Sequence, residues 1–356
     1  MEKIKSIFVP RALDENPYQT QLIANLEQLG TQVQRSSLSS FFLPTIILRW
    51  KPNIVHLHWL NPLFLGQNKF KTLIKTFIFI FQVFFLKVIG MKIVWTVHNL
   101  KNHENINLNL DRICTTLVVK LSSAIITHCQ AAKEEVIKTF SLKDRDKVFV
   151  VPHGNYIECY ENKVEKKLAR KELGLTDYGL VFLFLGIIRP YKGVLELIDA
   201  FKKLDSDEIQ LVIAGKVYEN SQDLTDLLVQ KTADDQRIKF IPGFVAPEKI
   251  QYYMNASEVV IFPYRDVLTS GAVLLAMSFG RACIAPYKGC IGEVLDNDGS
   301  FLYELDDENG LLQAMNYALQ KQSELLTMGQ HNRQLAEQYN WKHIAEMTTD
   351  IYRKCL

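Results

Sequence analysis

The sequence predicts an α/β protein with two doubly wound domains, each built on a parallel β-sheet. A chain of 356 residues and 41.0 kDa corresponds to about two domains. Short apolar runs alternate with helical patterns along the whole chain, which is typical of parallel sheets. Most of these runs are almost continuously hydrophobic, as expected for strands that helices cover on both faces.

The apolar runs predict five strands in each half of the chain. In the first half they cover residues 6–10, 54–59, 92–98, 124–129 and 148–152. In the second half they cover residues 180–186, 210–215, 238–241, 258–263 and 282–286. Helical patterns fill the gaps, for example 130–140, 193–204, 221–234 and 309–320.

A charged segment without strand signal, 158–172, separates the two halves. We therefore expect an N-terminal, acceptor-side domain over residues 1–160 and a second domain over 161–338. Residues 339–356 read as a last helix, which we expect to pack back onto the first domain.

Charge is unevenly distributed along the chain. Residues 1–160 hold 19 Lys/Arg against 11 Asp/Glu, and no acidic residue occurs between Gln28 and His103. A basic and apolar stretch attracts either nucleic acid or an anionic membrane surface. The N-terminal residues lack an apolar core of signal-peptide length, and the six cysteines form no C-x-x-C pair. We therefore expect a cytoplasmic protein without structural metal.

The sequence FKTLIKTFIFIFQVFFLKVI, residues 70–89, allows two interpretations. Only eleven uncharged positions separate Lys75 from Lys87, too few to span a bilayer. The segment could be a buried crossover helix, or its phenylalanines could lie in a membrane interface while flanking lysines reach the headgroups. Peripheral membrane contact between Lys69 and Lys92 is the functional prediction.

The segment GIIRPYKG, residues 186–193, is the most informative for chemistry. A buried strand ends at Gly186, a loop holds Arg189 and Lys192, and a helix follows. Ligands of open α/β sheets bind at the carboxyl ends of the strands, and helix N-termini attract anions. An Arg and a Lys three residues apart can bind different oxygens of one diphosphate.

A second strand–loop–helix segment carries Thr269, Ser270 and Gly271 at the start of an apolar helix. The hydroxyls could cap that helix, or the same amides could bind a phosphate. The two loops could converge on one diphosphate.

The first domain places polar residues after its strands. His98 follows one strand, with Glu104 nearby, and we expect catalytic roles for both. His56 and His58 alternate on the preceding strand, so one of them should face the core. Asn16, Pro17 and Tyr18 follow the first strand and His153 follows the last; these four are candidates for the acceptor side. No metal site is expected, because neither the cysteines nor the histidines show the spacing of zinc ligands.

Together these motifs resemble the GT-B glycosyltransferases of the large family 4, the glycosyl-transferases-group-1 type. The resemblance is strongest where GIIRPYKG, the GFV after Pro242, FPYRDVLTSG and LLAMSFGRACIAP follow one another. WTVHN and VPHGNY in the first half are similar to a subgroup that includes bacterial polysaccharide mannosyl- and glucosyltransferases.

The resemblance implies two Rossmann-like domains facing a cleft, with a C-terminal helix that returns to the first. It implies that Arg189 and Lys192 bind the donor diphosphate, and that His98 faces the sugar. Donor contacts are further implied for Gly186, Gly243, Phe244, Val245, Thr269, Ser270 and Gly271. The implied reaction moves a hexose from GDP-mannose or a UDP-sugar to a lipid-linked or saccharide acceptor at the inner membrane face, without cofactor or metal.

The sequence departs from the family pattern at two points. Many members carry two glutamates where this chain has Val267 and Leu275, and the usual Arg after the loop glycine is Ile187. Three alternatives stay open: a nucleotide-sugar epimerase, a non-catalytic nucleotide-sugar sensor and a nucleic-acid-binding protein. The phenylalanine-rich character of the basic stretch argues against nucleic acid.

Overall fold

The protein is described by a computed structural model that covers residues 3–12, 16–36, 41–43, 51–102, 106–218 and 222–356. The chain forms two compact units. Unit 1 comprises Met1–Gly154 and Tyr339–Leu356, and unit 2 comprises Asn155–Gln338.

Unit 1 is built on a six-stranded parallel sheet in the order β2–β1–β3–β4–β5–β6. Its strands are β1 (Lys5–Val9), β2 (Gln32–Arg35), β3 (Ile54–Leu57), β4 (Lys92–Thr96), β5 (Ala124–Thr127) and β6 (Val148–Val150). Its helices are α1 (Pro17–Gln28), α2 (Asn61–Phe64), α3 (Lys69–Val88), α4 (Leu108–Leu121) and α5 (Gln130–Thr139), followed at the end of the chain by α14 (Trp341–Cys355). Strand β2 was not predicted, because it is a half-buried edge strand with the polar sequence QVQR.

The C-terminal helix α14 belongs to the core of unit 1. Trp341, Ile344, Ile351 and Tyr352 are buried among residues of α1 and the sheet. The Trp341 ring packs so closely on Gly154 that a Cβ there would lie 2.3 Å from it. The expected return of the last helix to the first half of the chain is thus observed.

Unit 2 repeats the architecture with the strand order β12–β11–β10–β7–β8–β9, again fully parallel. Its strands are β7 (Leu180–Leu185), β8 (Ile209–Gly215), β9 (Ile238–Pro242), β10 (Val259–Ile261), β11 (Ala282–Pro286) and β12 (Ser300–Tyr303). Its helices are α6 (Lys166–Glu172), α7 (Val194–Phe201), α8 (Gln222–Thr232), α9 (Ile250–Ala256), α10 (Gly271–Ser278), α11 (Ile291–Val294), α12 (Gly310–Gln320) and α13 (Leu325–Gln338). The edge strand β12 was also missed by the sequence analysis.

The boundary between the units lies after Gly154, a few residues before the expected boundary at residue 160. The reason is a pair of hydrogen bonds. The Asn155 side chain donates to the Ala336 carbonyl over 2.9 Å, and the Tyr156 amide donates to the Ser278 hydroxyl over 2.9 Å. Both partners lie on helices of unit 2.

Helix α6 is fixed in unit 2 by the buried side chain of Arg170. Its guanidinium donates to both carboxylate oxygens of Glu258 at 2.9 Å and to the carbonyls of Ala256 at 3.0 Å and Gly179 at 3.1 Å. Nη2 donates both bonds to Glu258 while Nε donates to Ala256, and a planar group with several N–H donors in fixed directions is particular to arginine.

Helix α3 buries a mixed side, which includes Phe79, Val83 and Leu86, and leaves most of its phenylalanines exposed. Thr72, Thr76 and Gln82 are buried, and each bonds to backbone: the Gln82 side chain accepts from the amides of Phe42 and Leu43 at 2.8 and 3.0 Å. The opposite side is apolar and exposed; we call it the α3 apolar face, and it consists of Phe70, Leu73, Ile74, Phe77, Phe81, Phe84 and Val88. The buried side agrees with the first sequence interpretation and the exposed phenylalanines agree with the second, while membrane contact itself stays a prediction. Within the described residues, no helix is long and apolar enough to cross a membrane.

Candidate active site

In unit 2, the loop after β7 is shaped by two glycines. Gly186 has φ +141° and Gly193 has φ +66°, conformations that favour glycine. Between them, Pro190–Lys192 forms a 3₁₀ turn. A Cβ on Gly193 would lie 1.8 Å from the Pro263 carbonyl oxygen, so only glycine lets this loop pack against the end of β10.

Lys192 and Arg189 are adjacent cations on this loop. The Lys192 ammonium lies 5.5 Å from the centre of the Tyr264 ring, and 3.5 Å from where a Cβ on Gly186 would be. The Arg189 guanidinium lies 4.5 Å above the Tyr218 ring. Burial, and secondarily the charge of Arg189, lowers the pKa of Lys192 to about 8. Two neighbouring cations in a desolvated position favour an anion between or beside them.

The loop after β10 lies directly against the first loop. The Arg265 amide donates to the Tyr191 carbonyl over 2.8 Å. Ser270 is the N-cap residue of α10, but its side chain makes no capping hydrogen bond. The first amides of α10, next to Thr269 and Gly271, are therefore not capped by a side chain, which is the arrangement that binds phosphate.

Gly243, Phe244 and Val245 follow β9. The Gly243 amide donates to the Gly215 carbonyl over 3.1 Å, with φ +131°. The Phe244 side chain is 66% exposed, so its ring is free to stack on a planar group. The candidate donor-binding residues thus follow β7, β9 and β10, which lie within the run of neighbouring strands β10–β7–β8–β9.

Unit 1 gathers five of the eight histidines around the carboxyl ends of β3 to β6. We call this group the histidine cluster, and it consists of His56, His58, His98, His128 and His153. The His98 ring stacks on Trp59 at 4.2 Å and 14°, and its Nε2 lies 3.3 Å from Nδ1 of His58. His56 and His58 are both buried, whereas the sequence analysis expected one of them to face the core.

Tyr18 lies inside this cluster. Its ring centre is 5.1 Å from that of His98 and 4.9 Å from that of His153. Tyr18 is buried, so its phenol packs the cluster rather than presenting its hydroxyl to solvent. Asn16 accepts from the Tyr18 amide at 3.1 Å and caps α1, and Pro17 occupies the first turn. The structure thus brings Tyr18, His98 and His153 together, while Asn16 and Pro17 hold α1.

Burial keeps the clustered imidazoles neutral. Desolvation, followed by the neighbouring histidines, lowers the pKa of His56 and of His153 to about 3. The pKa of His128 is lowered to about 4, again mainly by desolvation. For His58 and His98, desolvation and the surrounding imidazoles hold the pKa well below 6.5.

Sequence reasoning missed His128 and Trp59 as members of this site. His128 directly follows β5, as His58 follows β3, so position at the end of a strand was the available signal. Glu104 lies outside the described residues. Among the described residues, one group has metal-ligand spacing: Asp296, Asp298 and His331. It includes none of the candidate site residues.

Residues 179–321 match the family described as Glycosyl transferases group 1. This stretch of unit 2 therefore resembles a Glycosyl transferases group 1 domain. It contains the strands and loops that present Arg189, Lys192, Gly243 and Ser270.

The whole chain is also similar to a curated protein and to solved structures. It is 29% identical over 303 residues to a GDP-mannose:glycolipid 4-beta-D-mannosyltransferase of Xanthomonas campestris pv. campestris, covering 84% of this chain and 79% of that one. Its fold matches sucrose-phosphate synthase from Thermosynechococcus elongatus with a TM-score of 0.79 at 16% identity, over 99% of both chains. It matches Anabaena Alr3699/HepE in complex with UDP-glucose with a TM-score of 0.74 at 17% identity, over 99% of this chain and 100% of that one. The predicted GT-B fold and glycosyltransferase class are confirmed.

Proposed function

We propose that this protein transfers a hexose from a nucleotide diphosphate sugar to a glycolipid or saccharide acceptor. The observation that carries the proposal is the pairing of Arg189 and Lys192 beside the uncapped start of α10, inside the stretch that resembles a group 1 domain. The mannosyltransferase relative makes GDP-mannose the first donor to test, and a UDP-sugar the second.

The proposed site stabilises the leaving diphosphate. As the bond from the anomeric carbon to the diphosphate breaks, the sugar becomes oxocarbenium-like and negative charge grows on the phosphate oxygens. Arg189, Lys192 and the first amides of α10 lie where this charge would develop, and preorganised charges of this kind give the largest catalytic effects. In this proposal these groups stabilise the developing charge without a cofactor, and the reaction does not depend on a metal ion.

The acceptor hydroxyl must lose a proton during transfer. In a retaining reaction a diphosphate oxygen can take it, and in an inverting reaction a protein base is needed. Glu104 is the proposed base for the inverting case. His98 and its cluster in unit 1 are proposed to serve the hexose and the acceptor.

The test is nucleotide binding and sugar turnover by Arg189→Ala and Lys192→Ala proteins. Each loses a charge-assisted hydrogen bond of roughly 1.5–3 kcal/mol, so binding of GDP or UDP should weaken about 10- to 100-fold. Lys249→Ala is a matched control, since Lys249 also ends a 3₁₀ turn that begins with proline and also lies over a tyrosine ring, at 4.8 Å. Unchanged binding and turnover in both site variants would refute the assignment.

We further propose that the α3 apolar face contacts the inner face of the cell membrane. Seven large apolar side chains point outward although the helix already buries Phe79, Val83 and Leu86, so this face is apolar surface that the core of unit 1 does not use. Lysines 69, 71, 75, 87 and 92 flank the face, and no acidic residue lies between Gln28 and His103. An anionic bilayer matches both the apolar surface and the charge.

The membrane proposal is tested by flotation with vesicles. We expect binding to phosphatidylglycerol vesicles that weakens with salt, and little binding to pure phosphatidylcholine. A Phe77→Ser/Phe81→Ser protein should lose binding, whereas Leu326→Ser, which removes an equally exposed leucine from unit 2, should keep it. A wild-type protein that never floats with anionic vesicles at low salt, or that prefers DNA to vesicles, would contradict the proposal.

A further inference from the structure

The position of the proton on His98 can be worked out from its neighbours in the histidine cluster. His98 Nε2 and His58 Nδ1 lie 3.3 Å apart, so one nitrogen must donate and the other accept. The direction of this bond decides which nitrogen of His98 carries its proton.

The other nitrogen of His58 settles the direction. His58 Nε2 is buried and has no hydrogen-bond partner among the described residues. A buried N–H without an acceptor is rarer and more costly than an acceptor nitrogen left unused. His58 therefore carries its proton on Nδ1 and donates it to His98.

His128 shows the same pattern within the cluster. Its Nδ1 lies 3.0 Å from the Val151 carbonyl, which can only accept, so Nδ1 must carry the proton. Its Nε2 is likewise buried and unpartnered among the residues that the structure describes. His128, next to His98, is thus a neutral imidazole whose proton is on Nδ1 and whose Nε2 makes no hydrogen bond to the described residues.

Two contacts fix the His98 ring in this state. Stacking on Trp59 sets the plane of the ring, and the bond from His58 sets its rotation within that plane. The Trp95 indole donates to the His58 carbonyl over 3.2 Å and holds the backbone of His58 in place. His98 itself is half-buried, and its Nδ1 has no protein partner in the described part of the chain.

We propose that His58 is a positioning residue that holds His98 in its Nδ1–H form, so that His98 offers substrate a hydrogen-bond donor and not a base. The acceptor nitrogen of His98 is occupied by His58, which leaves the N–H for an oxygen of the hexose or of the acceptor. Removal of the acceptor proton then falls to another group, Glu104 or a diphosphate oxygen. The substrate part of this inference rests on the proposed function, whereas the tautomer does not. The depressed pKa values of both histidines are consistent with a neutral pair at pH 7.

The direct test is long-range ¹H–¹⁵N correlation NMR on the ¹⁵N-histidine-labelled full chain, with His98 and His58 assigned from variant spectra. We expect both imidazoles as Nδ1–H forms. In His58→Leu, His98 should shift toward the Nε2–H form that free neutral imidazole prefers. In His58→Asn, whose amide can donate from the Nδ1 position, His98 should return to Nδ1–H.

Kinetics give a second readout. His58→Leu should lower kcat about 100-fold with little change in KM for the nucleotide sugar. The reason is that the hydrogen bond from His98 to substrate would be misaligned in the transition state, whereas binding of the nucleotide would be unaffected. His58→Asn should recover most of kcat. Tyr352→Phe is the matched control: it removes a hydroxyl 2.6 Å from His56 Nδ1 and should leave the His98 tautomer and kcat unchanged.

An Nε2–H form of His98 in the wild-type protein overturns the inference, as does an unaltered His98 tautomer in His58→Leu. If His58→Leu does not fold, the wild-type and His58→Asn spectra still decide. Absence of transfer with every donor would refute the proposed function, while the NMR result would stand on its own.

Discussion

The depressed pKa of Lys192 makes nucleotide binding depend on pH in a defined direction. With a pKa of about 8 in the free protein, Lys192 is about nine-tenths charged at pH 7 and about one-tenth charged at pH 9. The ammonium is the form that binds a diphosphate. Raising the pH from 7 to 9 should therefore weaken binding of GDP or UDP about tenfold, because a proton must be taken up before the ion pair forms.

The assay is calorimetric titration with nucleoside diphosphate at pH 7, 8 and 9. The phosphate groups of the ligand change ionisation near pH 6, below this range. Repeating the titration at pH 8 in two buffers of different ionisation enthalpy should show uptake of about half a proton. In Lys192→Arg the guanidinium stays charged throughout, so its affinity should be flat with pH. If the affinity of the wild-type protein does not change with pH, or if the affinity of Lys192→Arg falls as steeply as that of the wild type, the placement of Lys192 at the diphosphate is refuted.

Three further predictions concern stability. Arg170→Ala should lower the free energy of unfolding, measured by urea titration, by about 3–5 kcal/mol, because Glu258 loses its buried partner. Arg353→Ala, which removes an exposed ion pair, should lower the same quantity by less than about 1 kcal/mol. Gly193→Ala should abolish nucleotide binding and lower the thermal midpoint, since the new Cβ meets a carbonyl oxygen at 1.8 Å; normal binding would contradict the loop geometry. Trp341→Ala should lower the free energy of unfolding by about 3–5 kcal/mol. An unchanged thermal midpoint in this variant would show that α14 is not part of the core of unit 1.

The fold prediction rested on hydrophobic runs, which identified the central strands but not the edge strands β2 and β12. Central strands such as LVFLFL of β7 are buried on both faces and stand out in the sequence. The edge strands QVQR of β2 and SFLY of β12 are short and partly exposed, so nothing in their composition distinguishes them from loops. Their pairing depends on neighbours that are distant in the chain.

Helix α3 shows a different limit of sequence reasoning. Its composition suggested either burial or membrane contact, but not which residues face inward. Thr72, Thr76 and Gln82 are buried because backbone groups of other segments bond to them, and those partners are not visible in the periodicity. Phe79 shares this buried side, whereas Phe70, Phe77, Phe81 and Phe84 are exposed.

The candidate donor-binding loops could be located from the sequence because strand, loop cations and helix start are contiguous there, and their binding role stays a prediction. The sequence left open whether Ser270 caps α10, and only the structure shows that its side chain makes no capping hydrogen bond. In unit 1, the role of His98 depends on a contact with His58, forty positions away, and on the environment of one ring nitrogen. Such details are set by tertiary packing.

Mass spectrometry of the acceptor tests the central claim most directly. The full chain is incubated with GDP-mannose, and in parallel with a panel of UDP-sugars, together with a membrane glycolipid fraction. We predict that one donor adds a single hexose to a lipid and releases its nucleoside diphosphate, and that an Arg189→Ala/Lys192→Ala protein does neither. A nucleotide sugar that is only epimerised, or hexose transfer that survives loss of both cations, would contradict the account.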